Sequence, residues 1–367
     1  MSQSILALFL SINGYMSFGD RVGSAQESMN ILLAINAAAG TGNTLALGRN
    51  LAEILRKRLG HEHHIKLHRA SGHEAIQNSA WAFSHRHPED AVIIAGGGGG
   101  TLRAVIEGVG IEKPNQNLRL GALRMGSGNV IARQLGMSKD PMEGVEDLAA
   151  QLLRKAVVEC CVIGCDLDQG TNPTSTVYGA TLGGFGLFGR VPQALETYHA
   201  NHPHLHHFTA KSVGIERLTN VEYGLCLAGL CSRAAWNPQT LPEIEVQQGD
   251  HTESFRVLAG ALMNFPLGAL PFRPGLAVED PALSLHLIPY RSRLQALSLV
   301  PRAKALAKEA KIFRITADTP VTLRVANGER MPFFIDEDPL EAAQLTLRMA
   351  GTLPFITGKN FQPNLSE

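Results

Sequence analysis

Apolar and polar positions alternate along this chain in two styles, and the change falls near residue 156. Before it, short apolar runs end in Gly-rich turns, and each turn opens into a segment of helical spacing. Ile31 to Ile35 and Ala91 to Ala95 are uninterrupted apolar runs, the pattern of strands buried on both faces. Leu47, Leu51, Leu55 and Leu59 recur at every fourth position and predict a helix. The same reading gives a strand over 64–68 and helices over 73–84 and 101–109. A strand over 118–125, a helix from about Val130 and an amphipathic helix over 141–156 follow. Repeated strand–turn–helix units predict a parallel sheet covered on both faces.

From about Val157 the chain is rich in β-formers bounded by Gly, Pro or Asp. Strands are expected over 157–167, 177–182, 221–231, 255–265, 283–289, 321–326 and 333–335, with one helix over 292–310. The expected fold class is α/β. An N-terminal parallel-sheet, nucleotide-binding domain spans 30–156 and a β-rich, sandwich-like substrate domain spans 157–340. A return strand over 341–358 leads back toward the first domain. Residues 1–29 read as a leader or peripheral segment, because Met29 stands immediately before the first convincing strand. The apolar run from Ile5 to Leu10 is too short to span a bilayer, which takes about 20 residues, and no Lys or Arg precedes it.

Composition narrows the classes. The 367 residues carry 33 Lys+Arg against 33 Asp+Glu, so the footprint of a general nucleic-acid binder is missing. With 44% apolar residues and 37 glycines the chain can bury a substantial core, and disorder, collagen and coiled coil are excluded. The five cysteines fall in two apolar runs, Cys160, Cys161 and Cys165, then Cys226 and Cys231. They lack the CxxC spacing of zinc or redox sites and read as thiols packed in strands of a protein from a reducing cytoplasm.

The chemistry concentrates in glycines. Gly96 to Gly100 follow a buried strand and open a helix at Thr101. Such a turn lets backbone approach phosphates while the helix N-terminus offers free N–H groups. Gly126-Ser127-Gly128-Asn129 makes a second strand-to-helix turn, with Ser127 as a hydroxyl donor and Asn129 as a helix cap. Asn36 to Gly40 makes a third. In a parallel sheet these turns gather at one edge, where ligands bind.

These three turns resemble the nucleotide loops of the diacylglycerol kinase catalytic-domain superfamily, which includes bacterial lipid kinases and sphingosine kinases and, more distantly, NAD kinases. The stretch Phe333-Phe334-Ile335-Asp336-Glu337-Asp338, the run Leu345 to Met349, Leu353 to Ile356, Met263-Asn264 and Glu279-Asp280 are similar to later segments of the family. The resemblance covers about residues 30–356. Gly99 stands where the family has an Asp, Ala104 where it has a Glu, and Val130 where it has an Asp after Asn129. Arg124 replaces a Pro and would supply charge at the nucleotide edge.

The resemblance implies ATP and Mg²⁺ as cofactors. It assigns nucleotide contacts to Asn36, Gly40, Gly97, Gly98, Gly99, Gly100, Thr101, Arg124, Gly126, Ser127, Gly128 and Asn129. It makes Asp336 the catalytic base and Asp338 a metal ligand. Loss of the Asp at Gly99 with retention of Asp336 favours the lipid-kinase branch over the NAD-kinase branch. The expected activity is transfer of the γ-phosphate of ATP to a hydroxyl of a diacylglycerol-like or sphingoid lipid. A catalytically reduced nucleotide or lipid sensor is the alternative, and a nucleotide-dependent enzyme of another reaction the third. The expected partner is a lipid met at the membrane surface by a cytoplasmic protein, with no nucleic acid and no transmembrane segment; a homodimer is left open. The apolar stretches 183–188 and 265–272 read as sandwich core, with a lipid cleft as the second reading. The histidine groups at 61–64 and 199–207 read as solvated surface rather than metal sites.

Overall fold

The computed structural model describes residues 28–37, 44–111, 117–126, 129–169, 172–201, 215–267, 270–336 and 338–362. Residues 1–27 of the expected leader, Gly40, Ser127, Gly128, Glu337 and the histidines at 202–207 lie outside them.

The first half alternates as the apolar periodicity requires: β1 (Asn30–Asn36), α1 (Thr44–Leu59), β2 (His64–Ala70), α2 (His73–Arg86), β3 (Ala91–Gly97), α3 (Gly99–Val109), β4 (Arg119–Arg124), α4 (Val130–Gln134) and α5 (Pro141–Leu153). The strands pair in parallel in the order β4-β3-β1-β2, with Ile31 opposite Val92 on one side and Ile65 on the other. β1 and β3 are buried along nearly their whole length, which is why they read as unbroken apolar runs. At α5, Asp140 accepts from Met142 N at 2.8 Å and Pro141 occupies the first turn, where its missing N–H costs nothing.

The second half adds β5 (Val157–Gln169), β6 (Asn172–Gly179), β7 (Leu182–Phe185), α6 (Gly186–Gly189), α7 (Val191–Asn201) and α8 (Ile215–Trp236). Then come β8 (Glu243–Gln248), β9 (His251–Met263), β10 (Leu283–Pro289), α9 (Arg293–Leu297), α10 (Ala303–Ala307) and β11 (Lys311–Ile315). The chain closes with β12 (Val321–Val325), β13 (Met331–Ile335), β14 (Asp338–Ala342) and β15 (Gln344–Ile356). These strands are antiparallel to one another. β15 runs antiparallel to β5 along its length and meets β4 in parallel at Phe355–Leu120, so the two kinds of sheet are continuous. One apolar cluster lies under the parallel strands. A second, with Ile163, Phe185, Leu262, Leu285, Phe333 and Leu347, fills the antiparallel half.

Three expected elements differ. The strand expected over 177–182 is broken at Ala180 and Thr181, with β6 ending at Gly179 and β7 starting at Leu182. Residues 221–231 are helix, not strand, within α8. Its buried or half-buried positions, Glu222, Leu227, Leu230, Cys231 and Ala234, recur at helical spacing, and Val221 is the only β-branched residue from there to Trp236. Cys226 and Cys231 are therefore helical thiols, whereas Cys160, Cys161 and Cys165 lie in β5 as expected. Residues 292–310 are two short helices, because Pro301 lacks an N–H and disfavours helical backbone at Val300. The 183–188 and 265–272 stretches are core where described: Phe185 stacks on Phe333 at 5.8 Å between centroids, and Phe265 and Phe272 are buried. His63 is buried rather than solvated, accepting from Met29 N at 3.0 Å.

His286 on β10 is buried beside Phe272, with its Nε2 2.9 Å from Ser284 Oγ. Burial pushes its pKa down from 6.5 to about 4. The unfolded chain therefore binds the extra proton first as pH falls from 6.5 toward 4, and stability is lost through that window. Urea unfolding across this range will show that loss in the wild type and a flatter profile in His286→Gln.

Candidate active site

The glycine turn, the second strand-to-helix turn and the acidic turn after β13 come together at the C-terminal edge of the parallel sheet. Asn36 ends β1 and donates from Nδ2 to Thr101 Oγ1 at 3.2 Å. Thr101 is buried over Gly97, where a Cβ would lie 2.1 Å from its hydroxyl. A Cβ on Gly126 would fall 2.2 Å from Gly98 Cα, so the two turns touch backbone to backbone. Packing thus accounts for Gly97 and Gly126, beyond any ligand. Gly98 precedes α3 with no side-chain cap, and its carbonyl accepts from Thr101 and Leu102 N–H. Arg124 ends β4 as the register neighbour of Gly97, so its guanidinium stem starts beside the glycine turn.

Asn129 does not cap α4. It sits at φ 48, in the left-handed region that Asn tolerates. Its Oδ1 accepts from Gly126 N at 2.8 Å and its Nδ2 donates to the Gly126 carbonyl, closing the turn.

Asp336 stands opposite. It is 2% exposed, at φ 49, in the turn joining β13 to β14. Its Oδ1 accepts from Thr181 N at 2.9 Å, Thr181 Oγ1 at 2.6 Å and Leu182 N at 3.1 Å; its Oδ2 accepts from Ala180 N at 2.6 Å. A carboxylate has about four acceptor sites, two on each oxygen. Oδ1 is full, and Oδ2 keeps one free. Burial raises the pKa above its ordinary value, while the four hydrogen bonds pull the other way. Asn264, fully buried, donates to the Ala180 carbonyl at 2.6 Å and the Cys161 carbonyl at 3.0 Å, and so shapes the turn that holds Asp336.

Between these walls lies a mostly apolar hollow. Gly98, Gly99, Asn129, Thr181 and Asp336 line it with Leu102, Leu123, Val130 and Leu182. A Cβ on Gly99 would come within 3.0 Å of the Asp336 carbonyl oxygen. The glycine in place of an Asp is thus matched to the backbone it faces.

Asp338 is engaged differently from its expected metal role. Arg103 Nη1 lies 2.6 Å from Asp338 Oδ2, and Arg103 Nε 3.2 Å from Glu107 Oε1; Glu107 Oε2 in turn meets His73 Nε2 at 2.5 Å. Arg103, Glu107, His73 and Thr181 escaped the sequence reading, although the i,i+4 spacing of Arg103 and Glu107 on a helix was a usable signal. Among the described residues no three His, Cys, Asp or Glu side chains gather as a metal cluster. With Asp336 taken by four donors, Asp338 by a guanidinium and no carboxylate at Gly99, this donor set does not fit a Mg²⁺ held by Asp338.

Residues 30–161 match the diacylglycerol kinase catalytic domain. The fold is similar to that of a protein assigned as a diacylglycerol kinase from Bacillus anthracis strain Sterne, with a TM-score of 0.59 at 13% identity over 90% of this chain and 98% of that one. A diacylglycerol kinase structure from the same strain gives 0.55 at 13% identity over 90% and 97%. No curated protein matches the chain.

Two substitutions test the geometry. Gly126→Ala drives a methyl into Gly98 and will separate the turns, lowering the melting temperature. Gly99→Asp presses a second carboxylate against Asp336 and will destabilise by about 1–3 kcal/mol in urea unfolding.

Proposed function

We propose that this chain, which over residues 30–161 belongs to the diacylglycerol kinase catalytic-domain superfamily, is an ATP-dependent lipid kinase acting on a diacylglycerol-like or sphingoid hydroxyl. The observation that carries the reading is the buried Asp336 carboxylate. It keeps one free acceptor site at Oδ2, at the end of a largely apolar hollow walled by the glycine turn.

Phosphoryl transfer asks little covalent chemistry of a protein; it needs the phosphates held and the attacking hydroxyl oriented. In this reading the backbone N–H groups at the start of α3 and the Arg124 guanidinium face the ATP phosphates. The apolar walls seat the part of the lipid next to its hydroxyl. Asp336 Oδ2 accepts the hydroxyl proton as the oxygen bonds to the γ-phosphorus and ADP leaves. A carboxyl held above its ordinary pKa is the stronger base once ionised, and it shifts the acid limb of the pH–rate profile upward. In this reading the lipid is collected at a membrane surface.

A second reading has a specific observation behind it. Gly99 brings no carboxylate and Asp338 is paired with Arg103, so among the described residues the turn offers a substrate only the one open acceptor site of Asp336, a depleted acidic set that suits a nucleotide or lipid sensor without turnover.

Release of ADP from ATP·Mg²⁺ against a panel of lipid hydroxyls in mixed micelles separates the two. Lipid-dependent turnover is the expected result, and nucleotide binding without turnover on any lipid would establish the sensor. Asp336→Asn will lower turnover by about 10²–10⁴-fold and keep the nucleotide-induced thermal shift. Its melting temperature will also fall, because an amide NH₂ cannot accept from Ala180 N.

A further inference from the structure

Helix α8 turns a face to solvent that carries almost no polar group. Val221, Leu225, Ser232 and Trp236 recur there at helical spacing, and Leu225 and Trp236 are 62% and 89% exposed. α8 packs beside α9, where Leu294 is 77% exposed and Leu297 and then Val300 stand out as well. Single exposed apolar side chains are ordinary. Here five of the eleven large ones among the described residues fall on two neighbouring helices, with Val300 three residues beyond the second, a clustering that marks an interaction surface.

The charge beside α9 is predominantly positive. Residues 291–311 carry Arg291, Arg293, Arg302, Lys304, Lys308 and Lys311 against the single acid Glu309, in a chain of zero net charge. Arg291 pairs with Glu309 at 3.1 Å and Lys311 pairs with Glu253. Arg293, Arg302, Lys304 and Lys308 are exposed and have no acidic partner among the described residues. We propose that the α8–α9 face and the basic stretch through α10 dock on an anionic lipid bilayer. Trp236 and the leucines then enter the boundary between headgroups and acyl chains, and the four unpaired cations meet lipid phosphates. A second copy of the chain fits less well, because a two-fold contact would set these cations against their own kind.

The helix that carries this face is linked to the candidate site through its packed side. α8 packs on α6, which directly follows β7, the strand whose first residue donates to Asp336. Docking there would put at the membrane a helix that braces one wall of the hollow. That consequence rests on the lipid-kinase reading; the docking itself does not.

The test is co-sedimentation of the full chain with phosphatidylcholine vesicles and with phosphatidylcholine–phosphatidylglycerol vesicles, at low and high salt. The wild type will pellet with the anionic vesicles and be released by salt. Arg293→Glu/Arg302→Glu/Lys304→Glu and, separately, Leu294→Ser/Leu297→Ser will each weaken binding about tenfold or more. Both variants will keep the wild-type melting temperature and wild-type turnover on a short-chain monomeric diacylglycerol. If the wild type stays in the supernatant with both vesicle types, or the variants bind as it does, the proposal is overturned. It is also overturned if the wild type sediments as a dimer that the leucine variant splits. Vesicle binding without turnover on the soluble lipid leaves docking standing and removes the kinase reading alone.

Discussion

A carboxylate buried in protein must find donors or become neutral, and much of this site is arranged around that requirement at Asp336. The turn at 180–182 gives it three backbone N–H groups and a hydroxyl. Asn264 ties that turn to β5 through the Cys161 carbonyl. The left-handed backbone at Asp336 lays its own carbonyl against Gly99, which is how the acidic turn of the second half meets the glycine turn of the first. Arg103 and Asp338 make the neighbouring contact by charge. The two halves therefore meet through polar groups as well as through an apolar seam.

The parallel half was legible in the sequence because its strands are covered on both faces and its helices on one. β1, β3 and α1 show the two simplest periodicities a chain can have. Helix α8 was not legible for the complementary reason: its solvent face is as apolar as its packed face, so no helical alternation appears along 221–236. The single helix expected over 292–310 failed on a local matter, the proline at 301.

At the site, legibility followed sequence separation. Asn36, Gly97 and Asn129 sit at the ends of strong elements and could be placed by pattern. Asp336 stood out only through a family resemblance, since an acidic residue near a Pro is an ordinary turn. Thr181 and the pairing of Arg103 with Asp338 could not be found from the sequence alone, because each acts on a partner many residues distant; Asn264, like Asp336, stood out only through the resemblance. For the thiols the apolar runs marked packing but not the element: Cys161 in β5 and Cys231 in α8 are both pushed up to about 11 by burial, as inert packing thiols are.

The β5–β15 ladder has a consequence for how the protein is made. β4 borders β3 on one side, and its other neighbour is β15, at residues 344–356. During synthesis the parallel sheet is therefore left with an open edge along β4, and β5 with no partner in β15, until almost the whole chain has emerged from the ribosome. Loop closure over that distance is slow, and an unpaired apolar edge invites pairing with other chains. The nascent first half is thus the stage at which a chaperone, or the membrane itself, has most to protect.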